Sequence, residues 1–119
     1  MTQKDKELLL IDLCTRLPHG VKYGCIDIKN VWRLKSIFTR SDNSIFCDGC
    51  NDLELCKPYL FPLSSMTEEQ YKEYWELEHS GNMEHLSIPA LDWLNTNHFD
   101  YRGLIEKGLA IDATGLNIY

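Results

Sequence analysis

Long hydrophobic runs are absent from this chain of 119 residues, in which the longest uninterrupted apolar segment, Leu8 to Ile11, has four residues. A membrane-spanning helix needs about 20 apolar residues, so the sequence excludes one. The start of the chain also lacks the basic residues followed by an apolar core that mark a signal peptide. These absences predict a cytoplasmic protein with no membrane partner.

Glycine-rich loops, paired metal-ligand motifs and internal repeats are absent as well, since the seven glycines and four prolines are scattered. The sequence contains no recognisable catalytic motif, so it indicates no reaction and no cofactor. The length and the hydrophobic content of 44% are those of an ordinary globular chain. We predict one domain over residues 1–119, long enough to bury roughly two thirds of its unfolded surface.

Acidic residues outnumber basic ones by 18 to 12, and the two signs are separated along the chain. Residues 21–40 carry five cations and one acid, whereas residues 41–119 carry four cations and fourteen acids. Such a distribution lets two surfaces face different partners. The alternative interpretation is an ordinary solvated surface, on which single charges contribute little.

The five cysteines are an odd number, so at least one of them forms no disulfide within the chain. Reduced thiols in a cytosolic protein are the simplest interpretation. Cys47 and Cys50 have the CxxC spacing of zinc ligands, and Cys56 follows closely. The cysteine spacing is therefore the one metal-like pattern in the sequence.

A complete zinc site needs a fourth ligand, for which Cys25, His79 and His85 are the candidates. Structural zinc sites normally show a second spaced pair, and the sequence has none. The alternative is that Asp48-Gly49, a favoured hairpin dipeptide, closes a turn between two strands. We predict no metal, and the alternative is a zinc-stapled binding module through Cys47, Cys50 and Cys56.

The first half of the chain is predicted to contain one helix followed by a sheet. Apolar residues at helical spacing (Leu10, Leu13, Cys14 and Leu17) predict a helix over Thr2 to Leu17. Alternating apolar and polar residues predict a strand over Val31 to Thr39, with Val21 to Ile28 as its partner. Ile45 to Cys47 and Leu53 to Cys56 are shorter strand candidates, which completes an antiparallel meander of three or four strands.

The second half is predicted to be mainly helical. Pro58 to Pro62 is predicted to be an extended connector, because each residue that precedes a proline avoids helical geometry. Thr67 and Gln70 then form a capping box that begins a helix. A shorter helix follows over Ile88 to Asn95, and a further helical turn over Tyr101 to Lys107.

These elements predict an α+β fold with an N-terminal helix, a small antiparallel meander, and two or three C-terminal helices packed on one sheet face. Burial of one large side chain is worth roughly 1.5–3 kcal/mol, so a few such residues dominate stability. The predicted core consists of Leu10, Leu13, Trp32, Leu34, Phe38, Tyr74, Trp75, Trp93 and Leu94.

The stretch from Leu91 to Ile105 concentrates aromatic and ionisable residues around one glycine. His98, Asp100 and Arg102 within it fit an acid–base cluster in which the carboxylate orients the imidazole and the guanidinium binds an anion. No nucleophile accompanies them. The alternative, which we favour, is an irregular connection whose polar side chains cap backbone amides.

Arg33 and Lys35 share the polar side of the predicted strand Val31 to Thr39, which suggests a basic surface for an anionic partner. Trp32 and Phe38 lie on the opposite side, so the aromatic residues that would stack on bases are missing from it. We therefore predict that the partner is not nucleic acid. The glutamates after Thr67 offer the reverse possibility, an acidic helix that imitates a row of phosphates.

Four segments of the chain resemble a family of short proteins from gut anaerobic bacteria, associated with mobile elements or phages. The segments are Met1 to Leu10, Ser64 to Glu69, Asp92 to Asn95 and His98 to Ile105. The family has no assigned activity, so the resemblance implies no catalytic residue and no ligand.

The sequence thus predicts a non-enzymatic accessory or protein-binding module with an unidentified protein partner. The main alternative is a small hydrolase or transferase that uses His98, Asp100 and Arg102. The candidate interaction residues are Arg33, Lys35, His98, Asp100 and Arg102.

Overall fold

The computed structural model describes residues 2–25, 28–42, 44–48, 51–79 and 88–119. It is a mixed helix and sheet fold that begins with a helix, and no described helix has the length and apolarity that a membrane crossing requires. Three short 3-10 helices, at Leu17–His19, Leu53–Leu55 and Leu63–Ser65, connect the larger elements. The helices and strands are α1 Gln3–Arg16, β1 Lys22–Cys25, β2 Ile28–Arg33, β3 Ile37–Thr39, β4 Ile45–Cys47, β5 Asn51–Asp52, β6 Cys56–Pro62, α2 Glu68–Glu78, α3 Ile88–Thr96, β7 Phe99–Asp100 and β8 Ile111–Asp112.

Local capping begins both long helices. In α1 the Thr2 hydroxyl accepts the Asp5 amide at 3.1 Å, and the Asp5 carboxylate accepts the Thr2 amide at 3.4 Å. Thr67 and Gln70 form the same reciprocal pair at the start of α2, at 3.1 Å and 2.9 Å. Each pair satisfies two amides that have no partner inside the helix, which fixes where the helix begins.

Strand β6 organises the main sheet, whose order is β2-β1-β6-β7, with β8 also paired to β6. It runs antiparallel to β1 and parallel to both β7 and β8. Strands β3, β4 and β5 form a separate antiparallel sheet. The prediction of a single antiparallel meander with three or four strands was therefore too simple.

The predicted connector Pro58 to Pro62 is wrong, because this segment belongs to β6. The extended geometry that proline imposes on its neighbour is also strand geometry. Alternate residues of β6 are buried, and Tyr59 between two of them covers Gly24 of β1. A methyl group at Gly24 would lie 2.8 Å from the Tyr59 hydroxyl, so this strand glycine makes room for the ring.

The predicted strand Val31 to Thr39 is also wrong, because the chain leaves β2 at Arg33 and enters β3 at Ile37. The Asp48 carboxylate holds the break by accepting the amides of Lys35 and Ser36 at 2.9 Å and 3.0 Å. Asp48, which directly follows β4, thus provides hydrogen-bond acceptors for two amides that would be bonded to a neighbouring strand if β2 continued.

The hydrophobic core lies between α1, the main sheet and the C-terminal turns. Of the nine predicted core residues, Leu13, Leu34 and Leu94 are buried, whereas Phe38 and Trp75 are 40% and 48% exposed. The other four predicted residues, Leu10, Trp32, Tyr74 and Trp93, are partly buried. The central cluster consists of Leu9, Leu13, Val21, Tyr23, Leu34, Cys47, Leu53, Cys56, Leu60, Leu104, Leu109 and Ala110.

Candidate functional site

A buried ion cluster joins α1 to the segment after β7. The Asp12 carboxylate accepts the Arg16 Nε at 2.8 Å through one oxygen and the Arg102 Nη1 at 2.8 Å through the other. Asp12 and Arg16 are completely buried. Because one carboxylate faces two guanidinium groups, the cluster carries a net positive charge in the interior.

Arg16 reaches from this cluster into the sheet. Its Nη2 donates to the Phe99 carbonyl at 2.6 Å, and the Tyr101 ring lies 5.0 Å from its Cζ. The Arg102 Cζ lies 4.8 Å from the centroid of the same ring, so both cations contact Tyr101. Among the described residues Arg16 Nη1 is buried and has no hydrogen-bond partner. These contacts fix α1 against β7, so the role of the cluster is structural.

Asp100, predicted as a possible catalytic acid, is almost fully buried and binds the backbone. Its two carboxylate oxygens accept the amides of Leu104 and Ile105, each at 2.9 Å. These bonds shape a run of turns over 101–108 in place of the predicted helix, with Gly103 in the left-handed region at φ 73°. Asp100 therefore acts as the cap that we favoured from the sequence.

His98 occupies an unusual position between α3 and β7. Its backbone is left-handed at φ 62°, which is uncommon for a residue with a side chain. Its ring stacks on Tyr119 with centroids 3.6 Å apart and an interplanar angle of 13°. Among the described residues its Nδ1 is buried without a hydrogen-bond partner. Burial, with smaller contributions from Arg16, His19 and Lys22, lowers the pKa of His98 to about 4.

His98 and Tyr119 border an open cavity of about 490 Å³. Three polar side chains of its wall are already engaged: Ser65 Oγ donates to the Pro62 carbonyl at 2.7 Å, Thr114 Oγ1 to Asp112 at 2.6 Å, and Asn97 Nδ2 to the Trp93 carbonyl at 2.9 Å. A fourth, the Thr96 hydroxyl, lies 3.0 Å from the His19 Nδ1. The cavity has the size of a ligand site, but its described residues do not form a complete set of nucleophile, imidazole base and orienting carboxylate.

The structure therefore does not bring His98, Asp100 and Arg102 together. His98 borders the cavity, Asp100 caps two amides, and Arg102 pairs with Asp12. The acid–base interpretation required these three groups to meet in one pocket.

The low pKa of His98 predicts that stability falls as the pH is lowered. In unfolded chains the pKa is near 6.5, so between pH 6.5 and about 4 the unfolded state binds a proton that the folded state does not. Stability is then complete above pH 6.5 and falls by about 2 kcal/mol on acidification to pH 4, after allowance for partial solvent exposure. Urea unfolding at a series of pH values measures this loss.

The matched control is His98→Asn, because asparagine tolerates left-handed geometry and does not titrate. We expect the variant to show a flatter pH profile than the wild type between pH 6.5 and 4. Parallel profiles for the two proteins would contradict the assignment of this loss to His98.

Arg33 and Lys35, the other predicted interaction residues, are exposed and border a shallow pocket with Val31, Ser36 and Asp48. Within the described ranges neither cation takes part in an ion pair. Val31 is 45% exposed beside them, and Trp32, predicted to lie on the opposite side, lines the same pocket. The two cations are therefore neighbours at the end of β2 and not two positions on one side of a single strand.

Helix α2 presents a surface that sequence reasoning missed. Trp75 was predicted to be a core residue, yet Trp75 and Tyr71 are 48% and 60% exposed, and no residue of α2 is buried. The inward contact is made by Tyr74, whose ring stacks on Trp93 at 5.9 Å. Tyr71 and Trp75 lie four residues apart on one side of the helix, and the spacing does not say whether the fold covers that side.

The cysteine pattern is only partly within the described residues, because Cys50 and the candidate ligand His85 lie outside them. Cys47 and Cys56 are buried, and Cys56 lies opposite Cys25 in the register of the paired strands β6 and β1. A hydrogen bond with Cys47, followed by burial, raises the pKa of the Cys56 thiol. Among the described residues no three His, Cys, Asp or Glu side chains are grouped as metal ligands.

No protein-family model matches this chain, and no curated protein or solved structure matches it either. The resemblance to short proteins of gut anaerobes stays a prediction.

Proposed function

We propose that this protein is a non-enzymatic accessory module that works by binding another protein. The observation that carries the proposal is one side of α2, on which Glu68, Tyr71, Trp75 and Glu78 follow one another at spacings of three, four and three residues; the first three are exposed and Glu78 is partly exposed. We call these four residues the acidic aromatic face. Exposed aromatic rings are favoured at protein interfaces because each buries a large area at a low entropic cost.

The enzymatic alternative has less support. A hydrolase or transferase built on His98, Asp100 and Arg102 needs these groups at one reacting centre, and each of them has a different partner. In the cavity, Ser65 donates to a carbonyl, and Thr114 donates to the Asp112 carboxylate, whose lowered pKa makes it a weak base. The Thr96 hydroxyl lies 3.0 Å from the His19 Nδ1, but among the described residues no carboxylate is bonded to that imidazole.

The zinc-stapled alternative through Cys47, Cys50 and Cys56 rests on one observation. The thiols of Cys47 and Cys56 are neighbours inside the core, as two ligands of one ion would need to be, and the Cys56 Sγ donates to the Asp52 carbonyl at 3.3 Å. This contact is equally that of two small buried side chains in a reduced protein.

A capture experiment tests the proposed function. The tagged protein is used to retain partners from the cells that produce it, alongside the double variant Tyr71→Ala/Trp75→Ala. If the acidic aromatic face is the binding surface, the double variant loses a specifically retained protein by about 30-fold or more, the loss expected for central aromatic residues of an interface.

The matched control is Ile11→Ala, which removes a side chain that is 54% exposed on α1. It should retain the same partner at the wild-type level. Equal retention by the wild type and the double variant would refute the role of α2.

A further inference from the structure

The charge of α2 limits the kind of partner that its exposed side accepts. Between Glu68 and Glu78 the helix has five glutamates and one lysine. Within the described part of the chain none of these glutamates takes part in an ion pair, and Lys72, one turn from Glu68, takes part in none either. The acidic aromatic face therefore lies on a helix with a net charge of −4, which no ion pair among the described residues neutralises.

This charge argues against three classes of occupant. Nucleic acids and anionic membranes carry the same sign as α2 and are repelled by it. A purely apolar partner would cover carboxylates without giving them a counter-charge, which costs free energy. A positively charged protein segment meets both needs, because it neutralises the glutamates while it covers the rings.

The geometry favours arginine within such a segment. Tyr71 and Trp75 lie on adjacent turns of one helix, with Glu68 one turn before Tyr71 and Glu78 one turn after Trp75. Glu68 is exposed, whereas Glu78 is partly exposed and also contacts Tyr74. A guanidinium stacks flat on an aromatic ring and at the same time donates two parallel hydrogen bonds to a carboxylate. The chain places a guanidinium over an aromatic ring elsewhere, since the Arg40 Cζ lies 4.0 Å from the centroid of the Phe46 ring.

We propose that the acidic aromatic face binds an arginine-containing basic segment of a partner protein, with guanidinium groups paired with the flanking glutamates and stacked on Tyr71 or on the face of Trp75 that is not covered by the His79 ring, which stacks on Trp75 at 4.0 Å. This inference rests on the proposed function and adds the chemistry of the partner. The basic surface around Arg33 and Lys35 of a second copy would be a different occupant, which the test below separates.

The test uses three synthetic peptides of twelve residues that alternate serine with arginine, lysine or citrulline. Citrulline keeps the shape of arginine without its charge. Binding is measured by fluorescence anisotropy, and the indole N–H signal of Trp75, assigned with Trp75→Phe, is followed by NMR. We expect the arginine peptide to bind most tightly, the lysine peptide less tightly and the citrulline peptide not measurably, with affinity falling as salt is added.

Variants locate the contact. Trp75→Ala and the double variant Glu68→Gln/Glu78→Gln should each weaken the arginine peptide by about tenfold, the equivalent of about 1.4 kcal/mol, whereas Ile11→Ala should bind it normally. Equal binding of the citrulline peptide, or an unchanged affinity of Trp75→Ala, would overturn the inference. Self-association of the protein that is abolished by Arg33→Glu/Lys35→Glu would overturn it in favour of a second copy.

The inference and the proposed function fail in different ways. If a captured partner depends on Trp75 but the arginine peptide does not bind, the protein-binding function stands and the partner chemistry is wrong. If capture does not depend on Tyr71 and Trp75, the proposed function itself is wrong.

Discussion

Asp12→Asn is expected to destabilise the fold by about 3–5 kcal/mol, the cost of breaking a buried ion pair by removing one partner. Asp12 has no solvent exposure and is the carboxylate that Arg16 and Arg102 share, each at 2.8 Å. Asparagine has nearly the same shape, so packing is kept while the counter-charge is lost. Two guanidinium groups then share the interior without a neutralising anion.

The measurement is equilibrium unfolding in urea at neutral pH. Glu54→Gln is the matched control, because it removes a carboxylate from a partly exposed pair with Lys6 at 3.5 Å, for which we expect a loss of less than about 1 kcal/mol. Similar losses for the two variants would show that the buried cluster contributes no more than a surface ion pair.

The same cluster shows why the inward face of α1 was predicted incorrectly. The sequence suggested Leu10, Leu13, Cys14 and Leu17, a stripe made entirely of apolar residues. The buried residues are Leu9, Asp12, Leu13 and Arg16, and Cys14 is exposed. The helix is rotated because Arg102, 86 residues beyond Arg16 in sequence, supplies a second partner for Asp12. The sequence of α1 alone does not predict the contact with Arg102.

Features that depend on neighbouring residues were predictable. The capping box of Thr67 and Gln70 uses atoms within one helical turn, so its sequence signature determines its geometry. The helix expected over Ile88 to Asn95 is confirmed to within one residue. Long-range features were not: the segment Pro58 to Pro62 becomes a central strand because β1, β7 and β8 all pair with β6.

The candidate site follows the same division. The capping role of Asp100 was foreseen because aspartate favours local backbone contacts. The exposure of Tyr71 and Trp75 was not, since helical spacing gives the side of a helix on which a ring lies and not whether the fold covers that side. Coverage of α2 depends on where α3 packs, and α3 meets α2 through Tyr74 and Trp93.

Asp100→Ala is the second substitution for which we expect a large effect, a loss of about 3 kcal/mol or more. The carboxylate accepts two backbone amides, those of Leu104 and Ile105, and a hydrogen bond to a charged group contributes about 1.5–3 kcal/mol. Alanine would leave both amides without an acceptor next to the core residue Leu104. Asp100→Asn should lose roughly half as much, because its side chain keeps one acceptor oxygen.

Urea unfolding measures the loss, and amide hydrogen exchange locates it, with the amides of Leu104 and Ile105 expected to exchange faster. Asp112→Ala is the matched control. The Asp112 carboxylate also accepts a backbone amide, that of Thr114 at 2.9 Å, but it does so in an exposed turn. We expect its effect to be much smaller because water replaces the lost acceptor there. A mild effect of Asp100→Ala, equal to that of Asp112→Ala, would argue that Asp100 is not a structural cap and would reopen a chemical role for it beside His98.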